Sequence, residues 1–218
     1  MAHTFIVGAD LFGFADDNWE LVKRKIGRQI ASEVAKGGDG EYMPDTEQSY
    51  DQKTDITLVY RAKSKADALP VAISLGLVNE TSGYVPITLK VNTKIPGHAE
   101  VEITGHKHDG AAVHEVNSID IEVDVDGWGA TDFCCSVVND GCQSGSYSAS
   151  IEHKDSLSRK GDFFVGRSQA CKIEVSGTYI SDTAPVLAAG LTDDGSEISE
   201  GDDFYTANLK AHKYLTPA

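Results

Sequence analysis

The sequence predicts an all-β fold, a sandwich or barrel of antiparallel strands, and three observations carry that prediction. Two segments near the middle alternate strictly, with Ala99, Val101 and Ile103 against Glu100, Glu102 and Thr104, and Ile119, Ile121, Val123 and Val125 against Asp120, Glu122, Asp124 and Asp126. Period two over such lengths marks half-buried strands. Similar runs recur about every ten residues, punctuated by Gly, Asn, Asp, Ser and Pro, with no helical period between them. Finally, 218 residues of which 40% are hydrophobic are enough to bury one large core. The expected layout is a single β domain over 1–218, with an N-terminal arm, hairpin or helix at 1–50 and the sandwich core at 51–218.

The segment 18–35 is the ambiguous element. Val22, Ile26, Ile30 and Val34 stand four apart, which suits one stripe of a helix and also one face of a strand. Asp17 with Glu20 could cap a helix, whereas Gly27 and the following Gly37-Gly38-Asp39-Gly40 fit a long β-hairpin arm. Downstream, strands are expected at 55–62, 70–78, 85–92, around 99–104 and 118–126, then at 146–153, 162–166, 171–180 and 208–214. The stretches 44–53 and 193–203 read as exposed loops. If the two acidic-faced segments pair with each other, carboxylates face carboxylates across the ladder, an arrangement that costs stability unless the fold uses an acidic wall.

The 34 acidic residues outnumber 19 basic ones, for a formal charge of −15. Such a surface repels a polyanion and argues against sequence-reading contact with nucleic acid. No apolar stretch is long enough for a membrane span and the N-terminus lacks a basic region before its apolar run, so neither anchoring nor standard secretion is expected. Cys134, Cys135, Cys142 and Cys171 lack zinc-ribbon spacing. A Cys135 to Cys142 bridge across Asn139-Asp140-Gly141 is geometrically open, but free thiols in a reduced compartment are the expectation.

Three histidines form the main chemical candidate. His106 and His108 project from the same side of an extended backbone, and His114 could return on the next strand to complete a three-nitrogen site for zinc, copper or iron, with Asp109 or Glu115 as a carboxylate ligand. The HxH run resembles the first cupin motif, although its gap to Glu115 is too long. No second cupin motif follows, since His153 falls in a charged hairpin. Turn histidines bonded to backbone or facing a neighbouring subunit are the plainer reading, and no cofactor is expected.

Nucleophilic and nucleotide motifs fail: Gly141-Cys142-Gln143-Ser144-Gly145 is out of register with a nucleophile elbow, and Gly127-Trp128-Gly129 lacks the dinucleotide pattern. The loop 124–132 starts like a calcium loop, but Trp128 and Cys135 occupy ligand positions. Trp19, Trp128 and the tyrosines show no planar platform for carbohydrate. What remains is charge. The basic run Lys23, Arg24, Lys25 and Arg28 could lie against an acidic edge of a second copy, giving ring-like association steered by charge.

The Thr104-Gly105-His106-Lys107-His108 run, the alternating strand 118–125, the Gly127-Trp128-Gly129-Ala130 turn and the layout of 151–166 together resemble tail-tube-type (major tail) virion proteins of tailed phages. The resemblance covers about residues 50 to 180. It implies a β-sandwich or barrel whose copies form hexameric rings; the rings stack into a tube through which DNA passes without specific binding. Arms and loops bridge neighbours, other tail proteins are partners, and assembly occurs in the host cytoplasm. Such proteins are not enzymes. On this reading Glu100, Glu102, Asp120, Glu122 and Asp124 are candidates for an acidic lumen, and Lys23, Arg24, Lys25 and Arg28 for inter-subunit contacts. The alternative class is a cupin-like metalloenzyme using His106, His108 and His114.

Overall fold

A computed structural model describes residues 10–33, 39, 41, 48–108, 115–135, 141–157 and 163–216. Among them there is no helix; the fold is all-β and almost wholly antiparallel. The strands are β1 (Trp19–Glu33), β2 (Gln48–Ala62), β3 (Leu69–Leu75), β4 (Val85–Lys94), β5 (Glu100–His108), β6 (Glu115–Val116), β7 (Ile119–Val125), β8 (Cys142–Leu157), β9 (Phe163–Ser181), β10 (Thr192–Asp193), β11 (Glu197–Glu200) and β12 (Tyr205–Leu215). Ten of them form one sheet in the order β1-β2-β5-β4-β8-β9-β12-β10, with β11 on β12 and the short β6 parallel to β9; β3 and β7 form a separate pair.

One continuous core joins the two layers. Leu58, Tyr60, Leu89, Val91, Val101, Ile103, Ala149 and Ile173 from the large sheet meet Leu69, Val71, Leu75, Ile119, Ile121 and Val125 from β3 and β7. Alternation explains this directly, since every second residue of a strand points the same way. The segment ahead of β1 closes the end of this core. Phe14 packs on Trp19 and Tyr60, the Trp19 Nε1 donates to the Pro70 carbonyl at 3.3 Å, and Asp10 accepts from the Tyr60 hydroxyl at 2.5 Å and from the amides of Phe12 and Ala15.

Segment 18–35 resolves as strand over Trp19–Glu33, not helix. The free edge of β2 offers it a ladder running from Trp19↔Ala62 to Glu33↔Gln48, and that cooperative pairing outweighs a local helical spacing already weakened by Gly27. Among the described residues, the part of β2 before Lys53 pairs with β1 alone, and the described part of β5 ends at His108, opposite Lys53. Positions 50 and 51 are neighbours inside β2, which therefore starts within the stretch 44–53 expected to be loop.

Three further expectations are corrected. The acidic-faced segments do not pair: β5 lies between β2 and β4, and β7 pairs with β3. Burial of both apolar faces in one core sends the two acidic rows outward from different layers, and each carboxylate gains a neutral or basic neighbour. Glu100 meets Arg61 at 2.9 Å, Glu102 sits opposite Lys90, and Asp120 accepts from the Ser74 hydroxyl at 2.5 Å. The strands expected separately at 162–166 and 171–180 are one strand, β9, whose register against β8 shifts between Ile151 and His153. The stretch 193–203 contains strand, since β10 and β11 lie along the outer side of β12.

Gly105 shows why backbone approach matters at this sheet. A Cβ there would come within 2.2 Å of the Val85 carbonyl oxygen and 2.9 Å of the Phe12 ring, where β4 shifts register against β5. Gly105→Ala is expected to destabilise the fold by about 1–3 kcal/mol, the usual range for forcing atoms into filled space. Chemical denaturation of the variant beside the parent chain measures it.

Candidate functional site

The strongest chemical constellation sits where β4 has stopped. β4 begins at Val85, paired with His106, and its ladder to β8 reaches only Thr88↔Ser150. β5 runs on to His108 and β8 to Leu157, so past this point their side chains meet without an intervening strand. Three imidazoles converge there on one carboxylate oxygen. The Oδ1 of Asp155 lies 3.6 Å from His106 Nε2, 3.3 Å from His108 Nε2 and 3.2 Å from His153 Nε2. The Lys53 ammonium, on β2 opposite His108, donates to the other oxygen, Oδ2, at 3.1 Å.

The rings are fixed by their neighbours. The His153 Nδ1 is 3.2 Å from the hydroxyl of Ser168, its ladder partner on β9, and Ser168 is itself buried. The His106 ring stacks edge-on against His108 at 5.0 Å between centroids and lies tilted against His153 at 5.1 Å. The three imidazole side chains are 5%, 1% and 4% exposed, so the cluster is a buried polar island rather than an open cleft. Three surface clefts, of about 480, 700 and 500 Å³, are lined by other residues.

Burial shapes the charges of this island. Removal from water pushes the His106 pKa down, and nearby Lys53 adds to that, while Asp155 pulls the other way; the neutral ring is favoured. Burial also opposes ionisation of Asp155, but the contacts from His106, His108 and His153 more than offset it and hold its carboxyl well below the usual range. The result is an ionised carboxylate at the centre of the cluster. His106, His153 and Asp155 place one ligand atom each within 4.8 Å of one another.

Of the histidines singled out by spacing, His106 and His108 belong to this cluster, while His114 and Asp109 lie outside the described residues and Glu115 is in β6. His153, set aside as a second cupin histidine because it falls in a charged hairpin, lies on β8 paired with β9 and completes the group, together with Asp155 and Lys53, which spacing did not suggest. His153-Lys154-Asp155 has the same alternating form as His106-Lys107-His108, and that paired pattern was the available signal.

The assembly candidates separate cleanly. Lys23, Arg24, Lys25 and Arg28 lie on β1, the strand at one end of the large sheet, and Lys23, Lys25 and Arg28 are exposed. At the opposite end, along β10, β11 and the turn into β12, Asp193, Asp194, Glu197, Glu200, Asp202 and Asp203 are all exposed. Glu100 and Glu102 are half-buried on the outer face of β5, and Asp120, Glu122 and Asp124 are exposed on β7.

All four cysteines are free thiols. Asp132 organises the turn that carries two of them: its Oδ1 accepts from the amides of Cys134 and Cys135 at 2.9 and 2.8 Å and from the Tyr179 hydroxyl at 2.5 Å. No family model matches this chain, and no curated protein is similar to it.

Burial, aided by the nearby Asp132 charge, pushes the thiols up to about 12 for Cys134 and about 11 for Cys135 and Cys142. The folded state therefore holds these protons more tightly than the unfolded chain. The stability this contributes is complete below about pH 9, the ordinary thiol range, and is lost as pH rises through 11 to 12. Two results are expected: a disulfide reagent at about pH 8 labels the native protein far more slowly than the protein in denaturant, and the unfolding midpoint falls in a series of increasingly alkaline buffers.

Proposed function

We propose that this chain is a self-assembling structural protein, the tail tube subunit of a tailed phage, whose copies join edge to edge into rings that stack into a DNA-conducting tube. The observation that carries the reading is the polarity of the large sheet, basic along β1 at one end and acidic along β10 and β11 at the other. An edge strand presents unpaired backbone N–H and C=O groups and is a template for another chain. Two different edges of opposite charge favour a head-to-tail contact, which closes into a ring when the rotation allows. The basic edge carries Val22 and the acidic side carries Ile198 and Phe204, all exposed, so the contact has apolar as well as charged surface to bury.

The outward carboxylates suit the same role. Glu100 and Glu102 on one outer face, or Asp120, Glu122 and Asp124 on the other, would give a tube wall that repels phosphate and lets a polyanion slide. The β1–β2 pair, whose ladder extends past the last described residue of β5, is suited to bridging to the next ring. A cupin-like enzyme needs a ligand position open to substrate, and the burial of His106 and His108 speaks for the structural reading instead.

Sedimentation velocity and negative-stain microscopy of the purified chain at low and high salt test this. Rings or tubes that loosen with salt are expected. Charge reversal of β1 (Lys23→Glu, Lys25→Glu, Arg28→Glu) should leave monomers, and adding Glu197→Lys and Glu200→Lys to the same chain should restore assembly. A monomer under all conditions, or assembly indifferent to both sets of substitutions, overturns the proposal.

A further inference from the structure

We propose that His106, His153 and Asp155 form a buried structural site for a zinc-class divalent metal ion that staples β5 to β8, with His108 beside it against the same carboxylate oxygen. Tetrahedral zinc with bonds of about 2.0–2.2 Å holds neighbouring ligand atoms ~3.3–3.5 Å apart. The Nε2 atoms of His106 and His153 stand 3.6 and 3.2 Å from Asp155 Oδ1, close to the spacing such an ion requires between a carboxylate oxygen and its nitrogen neighbours. The ligand atoms of His106, His153 and Asp155 already fall within 4.8 Å of each other.

The donor set fits the ion chemically. Imidazole nitrogen with one carboxylate suits zinc and its borderline neighbours, whereas calcium and magnesium demand more oxygen ligands. The surrounding residues do what outer-shell residues do in metal sites. Ser168 holds the far nitrogen of His153 at 3.2 Å and so directs Nε2 inward, and His108 Nε2 stands 3.3 Å from Asp155 Oδ1. The His106 and His153 side chains are only 5% and 4% exposed, which shuts the site off from a substrate and makes its role structural.

Its place in the fold explains its use. The two strands it would join have lost β4 as a spacer, and the sheet there is held by polar side chains instead of a backbone ladder. Lys53 works against the ion, since its ammonium shares the same carboxylate. This separates a metal site from a plain ion-pair cluster. In a metal site Lys53→Met removes a competing cation and tightens binding; in an ion-pair cluster the same change only weakens the fold.

The test uses the full chain, stripped with chelator and titrated with zinc chloride, and separately with cobalt chloride, whose visible spectrum reports coordination geometry. One metal per chain, a rise in thermal midpoint on adding zinc, and the intense absorption of tetrahedral cobalt are expected. His153→Ala and Asp155→Ala should abolish uptake, His108→Ala should weaken it roughly tenfold to a hundredfold, and Lys53→Met should strengthen it. His98→Ala and His212→Ala, outside the cluster, should leave it unchanged. The parent chain keeps the test decisive if a cluster variant fails to fold: no stoichiometric uptake by it, an octahedral cobalt spectrum, or uptake lost instead in His98→Ala or His212→Ala overturns the proposal.

Discussion

One-sided burial of the large sheet is the constraint from which the other features follow. Its inner face must be covered, and the cover available is the β3–β7 pair together with the segment around Phe12 and Phe14. Leu, Ile and Val on alternate positions therefore point toward that cover, and whatever stands between them points to water. The acidic rows of β5 and β7 are the complement of the core, set on the outer faces of the two layers. They are separated in space because their apolar partners are joined in it.

The same constraint governs both the edges and the buried cluster. Among the described residues the sheet is covered on one side and ends at β1 and at β10 and β11, with basic residues along the first edge and acidic residues along the other. Charged residues on an edge discourage promiscuous strand addition while still permitting a partner of opposite charge. Where β4 ends early, the sheet carries a gap that apolar residues do not fill. Asp155, three imidazoles and Lys53 fill it instead, each held by partners from a different strand. Burying polar groups of this kind is costly unless they find partners.

The proposed assembly and the proposed metal site address different needs of one architecture. Rings built edge to edge depend on the large sheet keeping its curvature and register, and register is least secured where backbone pairing is interrupted. The break between β4 and β8, with the register shift between Ile151 and His153 beside it, is such a place. A staple there would hold the strands between the two edges in a fixed relation.

By itself the sequence determined the fold class, the inward and outward faces of β5 and β7, the overall acidity and the pairing of His106 with His108, because all of these follow from local alternation and composition. It left 18–35 open between helix and strand, since a four-residue spacing is compatible with both and only the free edge of β2 decides. Tertiary structure alone decided that β7 pairs with β3 rather than β5, that 193–203 forms edge strands, and that His153 and Asp155 join His106 and His108. The reason is physical: His108 and His153 are far apart along the chain, and they meet because β4 stops short between their strands, a fact about ladder lengths that no local pattern encodes.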